Sequence, residues 1–592
     1  MAATKHFYPL PQGLVDTALN GLIASHSDLA LLSADKIVYH ATHDRAHVSV
    51  LSGGGSGHEP AHSGYVGQAM LAAAVCGDVF ASPSAKQVIT ACRAVPSDEG
   101  FIFVVTNYTG DMLHFGLACE KLRAEGYKVG IVQGADDVAV GRKNGGMVGR
   151  RGLAGTIIIN KLVGAYAATG AKFDDVFSFG KHVGLNLVTI SAGLDHCHVP
   201  GRPAAYGALD ASTCEIGMGI HNEPGVRSVS PIPPIDDLTS ELLKYLLDQT
   251  DLDRAFVPFN ADADEIVLLV NNLGGISTLE LRAITQVAIT ILKRDWNITP
   301  TRVLAGTFIT SLNAPAFSLT LFNASNTAAQ AGLPVAQVLE LFDAPTDALC
   351  WPRTHKVQSH TAATGNTNGV EDGGHQKNKF ASDILVNPAE LRSRIEQAAY
   401  NVIAAEPKLT EWDTEMGDGD CGTTVESGAN GVLEALQNGV ADSGSVLKVV
   451  DAIVNITEDK MGGTLGAVFG IFFAAFFTAL VEEASSSKNS TAEAVLSSAA
   501  VTALASLRTH TPAKEGDRTV MDVLIPFVSA LEKGGISAGL AAAELAAQGT
   551  RRLVPKLGRA TYVGGNASRH EFPPDPGAWA LYEIVRGLAG SN

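Results

Sequence analysis

Basic charge is scarce in this chain of 592 residues: 43 Lys and Arg stand against 61 Asp and Glu, a formal net charge of −18. Nucleic acids and anionic membrane surfaces recruit clustered Lys and Arg, so neither is expected as a partner, although a few local groups can still hold a small anion. Cysteine is also sparse. Cys76, Cys92, Cys119, Cys197, Cys214, Cys350 and Cys421 are odd in number and lack the paired spacing of a disulfide framework or a zinc site, which fits a reducing, cytoplasmic setting. The opening MAATKHFYPLPQG lacks the basic end and apolar core of a secretory signal, and Gly590-Ser591-Asn592 is no peroxisomal tripeptide. Long apolar runs are nearly absent. The one approaching spanning length, Leu465 to Val481, is at the short limit of about 17 residues without basic flanks, and is expected to be a buried core helix.

A Walker-type phosphate loop is missing too: the Gly180-Lys181 pair is followed by His182 where Ser or Thr is needed, and the protein-kinase signature set does not occur. What is present is ordinary folding composition, 46% hydrophobic and 18% charged, over a length that suggests roughly three or four units. From about residue 47 to 345, apolar runs such as VSVLS, FIFVVTN, KVGIVQG and EIVLLVNN alternate with helical stretches, the pattern of α/β units. The segment RTHKVQSHTAATGNTNGVEDGGHQKNK has almost no apolar residues and reads as a flexible linker. Beyond it the strand signal disappears. Eight helices are predicted, starting near residues 388, 423, 443, 464, 491, 517, 535 and 576. The expected organisation is therefore an α/β half of two subdomains over 1–352, a linker over 353–382 and an all-α domain over 383–592.

Three segments of the α/β half carry groups that could do chemistry. Val48 to Ser52 followed by Gly53-Gly54-Gly55-Ser56-Gly57-His58-Glu59-Pro60 reads as a strand entering a glycine loop, where backbone N–H groups can approach a ligand unobstructed by a Cβ. A tight turn would look the same. His58 to His62 also satisfies H-E-x-x-H, but Pro60 would sit inside the helical turn that a zinc site of that type requires, so that match is taken as accidental. Phe103 to Asp111 brings a carboxylate to the end of a second strand, where a helix N-cap is the plainer alternative. Gly217 to Gly225 surrounds His221 with glycines, and alone a structural histidine is the commoner case.

In the helical half, Asp413 to Thr424 compresses Asp413, Asp418 and Asp420 into a glycine-bearing connection between two helices. Crowded hard oxygen ligands suit Mg²⁺ held together with substrate phosphates. An acidic helix connection would also fit. An EF-hand does not, because position 12 counted from Asp418 is Ala429 instead of a bidentate Glu.

Taken together, GGGSGHEPAHSG, NYTGD and GMGIHNEPG, with Gly152 to Thr156 and Asn271 to Gly275 following in order, resemble the dihydroxyacetone kinase family over nearly the whole chain. The resemblance implies an ATP-dependent kinase of dihydroxyacetone, and of D-glyceraldehyde, with His221 adding to the ketone carbonyl as a hemiaminal. Gly55, Ser56, Gly57 and His58 would hold substrate oxygens, His58 would assist as donor or acid/base, and Asp111 would accept the hydroxyl proton. Many relatives have Lys where this chain has Thr106, which puts a side-chain contact there in doubt. Asp413, Asp418 and Asp420 would hold two Mg²⁺ ions bridging ATP. Cys421, Gly422, Thr423, Thr424, Thr464, Leu465, Thr519, Val520, Asp575, Pro576 and Gly577 would line the nucleotide pocket, Cys421 without a redox role. Leu465 and the stretch Asn566 to Pro574 depart from the family pattern. A homodimer is implied as well. Two other readings come with the resemblance: an additional FAD-cleaving, cyclic-FMN-forming activity, and a non-catalytic ketone sensor, against which the intact aspartate trio argues.

Overall fold

The computed structural model describes residues 4–143, 148–203, 208–354, 383–486, 491–557 and 571–590. The chain divides into two compact units, Met1–Asn366 and Thr367–Asn592. Most of the predicted linker, residues 355–382, lies outside the described residues.

In the first unit β1 (Leu29–Leu32), β2 (Ile37–His40), β3 (Ser49–Ser56), β4 (Ala73–Val79), β5 (Phe101–Thr106) and β6 (Val129–Gly134) form one sheet in the order β1-β2-β4-β3-β5-β6. Its β4-β3-β5-β6 portion is parallel. A second sheet has the order β11-β10-β12-β7-β8-β9, from β7 (Leu187–Gly193), β8 (Cys214–Ile216), β9 (Arg227–Val229), β10 (Ile266–Asn272), β11 (Arg302–Gly306) and β12 (Ala316–Asn323). The helices are α1 (Leu14–Ala24), α2 (Ala85–Ala94), α3 (Thr109–Ala124), α4 (Gly155–Ala168), α5 (Phe173–Leu185), α6 (Ile235–Leu247), α7 (Thr278–Trp296), α8 (Ala324–Ala331) and α9 (Val335–Asp343).

Strand alternation explains the layering. In β5, Phe101, Phe103 and Val105 join a core that also takes in α2 and α3, while Ile102 and Val104 point to the opposite face. In β10, Ile266, Leu268 and Val270 pack with α6 and α7, while Val267 and Leu269 face the same central core as Ile102 and Val104. That central core is filled by α4, through Ile157, Ile158 and Leu162. Both sheets are thus covered on two faces, which is why their strands read as continuous apolar runs.

β3 differs from its predicted form. It continues through Gly53, Gly54 and Gly55 to Ser56, so the three glycines belong to the strand. A Cβ on Gly53 would stand 2.3 Å from the Val75 carbonyl of β4, and one on Gly55 2.7 Å from Ala81 N. Close backbone approach selects glycine there, and the turn begins only at Gly57, whose φ is +102°.

The second unit is helical: α10 (Pro388–Met416), α11 (Cys421–Gln437), α12 (Val446–Lys460), α13 (Gly463–Ser486), α14 (Ala492–Leu507), α15 (Met521–Gly549) and α16 (Pro576–Leu588). Non-helical backbone at Gly534 and Gly535 breaks α15 in two, so eight helical segments occur among the described residues. The break falls where the predicted seventh helix begins. The sixth starts at Met521 instead of near 517, because the Asp522 carboxylate takes hydrogen bonds from Gly516 N and Thr519 N and holds residues 516–519 in a turn. The apolar run Leu465 to Val481 lies in α13 between α12 and α14. Phe469, Phe472, Ala479 and Leu480 are fully buried but most of its neighbours only partly, so the wholly buried helix expected there is corrected to one with a half-open side. Helices α13 and α15 are both long and apolar enough to cross a membrane by length and composition alone.

Two glycine substitutions test this packing. Gly164→Ala in α4 would drive a Cβ to 2.0 Å from the Met70 carbonyl and is expected to cost about 1–3 kcal/mol. Gly116→Ala in α3 meets nothing within 4 Å and is expected to stabilise by about 0.5–1 kcal/mol. Denaturant unfolding of the two variants should move in opposite directions.

Candidate active site

Immediately after β3 the chain is tied to the second sheet. Leu312 N donates to Gly57 O (2.8 Å), Thr310 N to His58 O (3.1 Å), and the His58 ring meets the Thr310 carbonyl through Nδ1 (2.7 Å). A carbonyl can only accept, so Nδ1 carries the hydrogen. Burial, then the neighbouring His221, push His58 down to about 3, so it is neutral with a lone pair on Nε2. That lone pair faces His221 Nε2 at 2.9 Å.

His221 sits on the loop between β8 and β9. Its Nδ1 is 3.1 Å from Glu223 Oε1, and its backbone N–H donates to Glu223 Oε2 (2.8 Å). Burial would raise Glu223, but the hydrogen bond and charge of His221 outweigh it and hold the carboxyl at about 2. The His221 ring is thus held between an ionised carboxylate at Nδ1 and a lone pair at Nε2. Phe80 and Tyr108 stand edge-on to it, with centroids 5.2 and 4.5 Å away, and the Tyr108 hydroxyl donates to Gly152 O (3.1 Å).

Asp111 lies in the first turn of α3, with its carboxylate 3.6 Å from where a Gly54 Cβ would stand. Burial raises it, against Ser82 and His221. Its Oδ1 is buried and takes no hydrogen bond from the described residues. The Ser56 hydroxyl is committed to Gly77 O (2.8 Å), and Thr106 Oγ1 lies 3.4 Å from His62 Nε2, which is backed by Asn160. His62 therefore points away from any shared metal with His58, and residues 57–62 are not helical, as Pro60 foretold.

In the helical unit Asp413 lies in the last turn of α10 and Asp420 directly precedes α11, and Asp413, Asp418 and Asp420 offer oxygens within 4.8 Å of one another. Asp413 Oδ2 also accepts from Cys421 N (3.0 Å). These residues line a cavity of about 370 Å³ together with Cys421, Thr424, Thr464, Leu465, Thr519, Val520, Asp575, Pro576 and Gly577. Gly422 and Thr423 do not line it. A Cβ on Gly422 would meet Thr410 Oγ1 at 2.2 Å, so that glycine serves the packing of α11 on α10, and the Thr423 hydroxyl donates to Asp420 O. Burial and the surrounding aspartates raise the Cys421 thiol, keeping it protonated. Asp575 caps α16 through Ala578 N (2.8 Å), and burial pushes it up to about 6. Of the departing stretch Asn566 to Pro574, residues 566–570 lie outside the described residues.

Sequence reasoning missed four groups. Glu223 had the clearest available signal, a carboxylate two residues after His221 in the same glycine-bounded segment. Phe80 and the Thr310 carbonyl come from distant elements and left none. Arg518, buried in the wall of the helical cavity with Nη2 on Pro573 O (2.8 Å), directly precedes Thr519 and Val520, but its burial was not foreseeable.

The expected state of His58 can be read by imidazole ¹⁵N NMR. The neutral Nδ1–H form should persist from pH 8 to pH 5, since its folded value is about 3. Ordinary titration near pH 6.5 would contradict the assignment.

A Dak1 domain is matched over residues 20–350 and a DAK2 domain over residues 415–590. A dihydroxyacetone kinase of Pichia angusta is 39% identical, covering 99% of this chain and 98% of its own. The triokinase/FMN cyclase of Mus musculus is 34% identical, covering 98% and 97%. Among solved structures, the dihydroxyacetone kinase from C. freundii in complex with AMP-PNP and Mg²⁺ is similar with a TM-score of 0.62 and 28% identity, covering 100% of both chains.

Proposed function

The chain belongs to the dihydroxyacetone kinase family, and from that premise we propose that it transfers the γ-phosphoryl group of ATP to dihydroxyacetone, tethered as a hemiaminal on His221. The observation that carries the tether is the His221 ring held between the Glu223 carboxylate and the lone pair of a neutral His58.

The proton inventory gives the order of events. His221 Nε2 cannot attack while it bears hydrogen, so that proton passes to His58 Nε2, 2.9 Å away. The freed lone pair bonds to the carbonyl carbon, the π electrons move to oxygen, and His58 returns the proton to that oxygen. The ring is cationic before and after, so Glu223 is its counter-ion at both ends of the step. Asp111 then takes the proton of the hydroxyl to be phosphorylated, for which its raised affinity suits it. Glycerol has no electrophilic carbon and forms no tether. Glyceraldehyde has one and is expected to be a substrate.

The three carboxylate oxygens fit Mg²⁺, and we assign Asp413, Asp418 and Asp420 to two ions that neutralise the triphosphate charge in the transition state. Cys421 N is already engaged by Asp413, so that residue contributes position, while Thr424, Thr464 and Thr519 offer hydroxyls to the nucleotide. Leu465 can contribute only backbone polar groups and apolar contact. Seven free cysteines fit a cytoplasmic setting, and a homodimer fits the requirement that substrate and nucleotide sites meet.

Similarity to a triokinase/FMN cyclase supports a second reading, FAD cleavage at the same nucleotide site. Incubation with FAD and Mn²⁺ should then release cyclic FMN, and absence of that product removes the reading. A ketone sensor without turnover fits poorly with a DAK2 domain bearing the aspartate trio.

The kinase reading is tested by coupled ADP release with dihydroxyacetone, glyceraldehyde and glycerol. Turnover is expected with the first two. Equal turnover of glycerol would overturn the tether. Asp111→Asn should lower kcat by about 10²–10⁴-fold with the adduct still formed, whereas Asp413→Asn, or chelation of Mg²⁺, should abolish ADP release while leaving the adduct intact.

A further inference from the structure

The loop that carries His221 is poor in intrinsic rigidity, since Gly217, Gly219 and Gly225 lie within nine residues of one another. Something must hold it. Arg151, just before α4, reaches it from behind: Nη2 donates to Gly217 O (2.6 Å) and Nη1 to Pro224 O (3.4 Å), so one planar guanidinium grips both ends of the segment bearing His221 and Glu223. Its third arm, Nε, donates to Asp137 Oδ2 at 2.8 Å. Asp137 is wholly buried, its other oxygen takes Ala139 N (2.9 Å), and its own N–H donates to Arg151 O (3.0 Å), so the anchor is fixed from several sides.

Gly219 reveals how close the groups are. A Cβ there would stand 2.1 Å from Glu223 Oε2 and 2.8 Å from Arg151 Nη1, which sets the guanidinium and the carboxylate against the same glycine. Glu223 thereby has the Arg151 guanidinium behind that glycine and the His221 ring in front, with its hydrogen bonds going to His221.

We propose that Arg151, anchored on Asp137, is a positioning residue for the covalent step: it fixes the Gly217–Pro224 segment and puts its charge behind the Glu223 carboxylate that His221 uses, aiming the ring at the substrate carbonyl. This deepens the reading of His221 as the tether and rests on it. A nucleophile displaced by an ångström loses much of its advantage, and a bidentate fork restrains a loop in a way that a single ammonium cannot. The charge acts as well. Around the His58–His221 contact the ionisable groups are Glu223, Asp111, His62, Tyr108 and Arg151, and removing the guanidinium strengthens the hold of Glu223 on the ring proton.

The test compares full-length wild type, Arg151→Met, Arg151→Lys and His221→Ala by ADP release and by native mass spectrometry of the dihydroxyacetone adduct without ATP. Arg151→Met is expected to raise KM for dihydroxyacetone by about tenfold or more, to lower adduct occupancy, and to leave KM for ATP unchanged. The alkaline limb of kcat/KM for dihydroxyacetone, where the ring proton that is passed to His58 and on to the carbonyl oxygen is lost, should move to higher pH. Arg151→Lys, which keeps charge without the fork, should restore the pH limb but not the full adduct, and it decides the matter if the Met variant does not fold. Wild-type adduct, KM and pH limb in the folded variants would overturn this proposal alone. No adduct in wild type together with normal turnover by His221→Ala would overturn the tether and this inference together.

Discussion

The first unit depends at its site on one hydrogen bond, His58 Nδ1–H to the Thr310 carbonyl. It fixes the tautomer of His58, and with it the direction in which every other proton nearby must point. Because Nδ1 is occupied and burial keeps the ring neutral, Nε2 is left as an acceptor. The short contact to His221 Nε2 then requires a proton from the other side.

The same bond joins the two sheets. His58 leaves β3 of the first, Thr310 belongs to the connection between β11 and β12 of the second, and Thr310 N and Leu312 N pair with the His58 and Gly57 carbonyls. The reactive groups thus sit where two rigid sheets are stitched together, which serves a reaction that needs aligned atoms more than it needs motion. The helical unit meets a different demand. Its three aspartates are half-buried or exposed at the junction of α10 and α11, where cations can arrive with their own water and phosphate ligands.

Much was legible in the chain. The break in α15 follows from Gly534-Gly535, the alternation in β5 and β10 from their apolar residues, and the clustering of carboxylate oxygens at residues 413–420 from three aspartates in one short connection. The errors have physical causes as well. β3 runs further than a glycine triplet suggests because neighbouring backbone, not turn formation, demands the glycines. Helix α13 is less enclosed than its composition implies, because composition records apolarity and not which sides find partners.

The sequence by itself determined the α/β and helical halves and the acidic loop, and through a family resemblance it pointed to His221 and Asp111. Tertiary structure alone decided their chemistry. His58 and His221 are 163 residues apart in the chain, and Thr310 is 252 residues from His58. Tautomer, charge state and aim are set by groups brought to within 3 Å across such separations, and no local pattern of residues encodes which lone pair will face which proton.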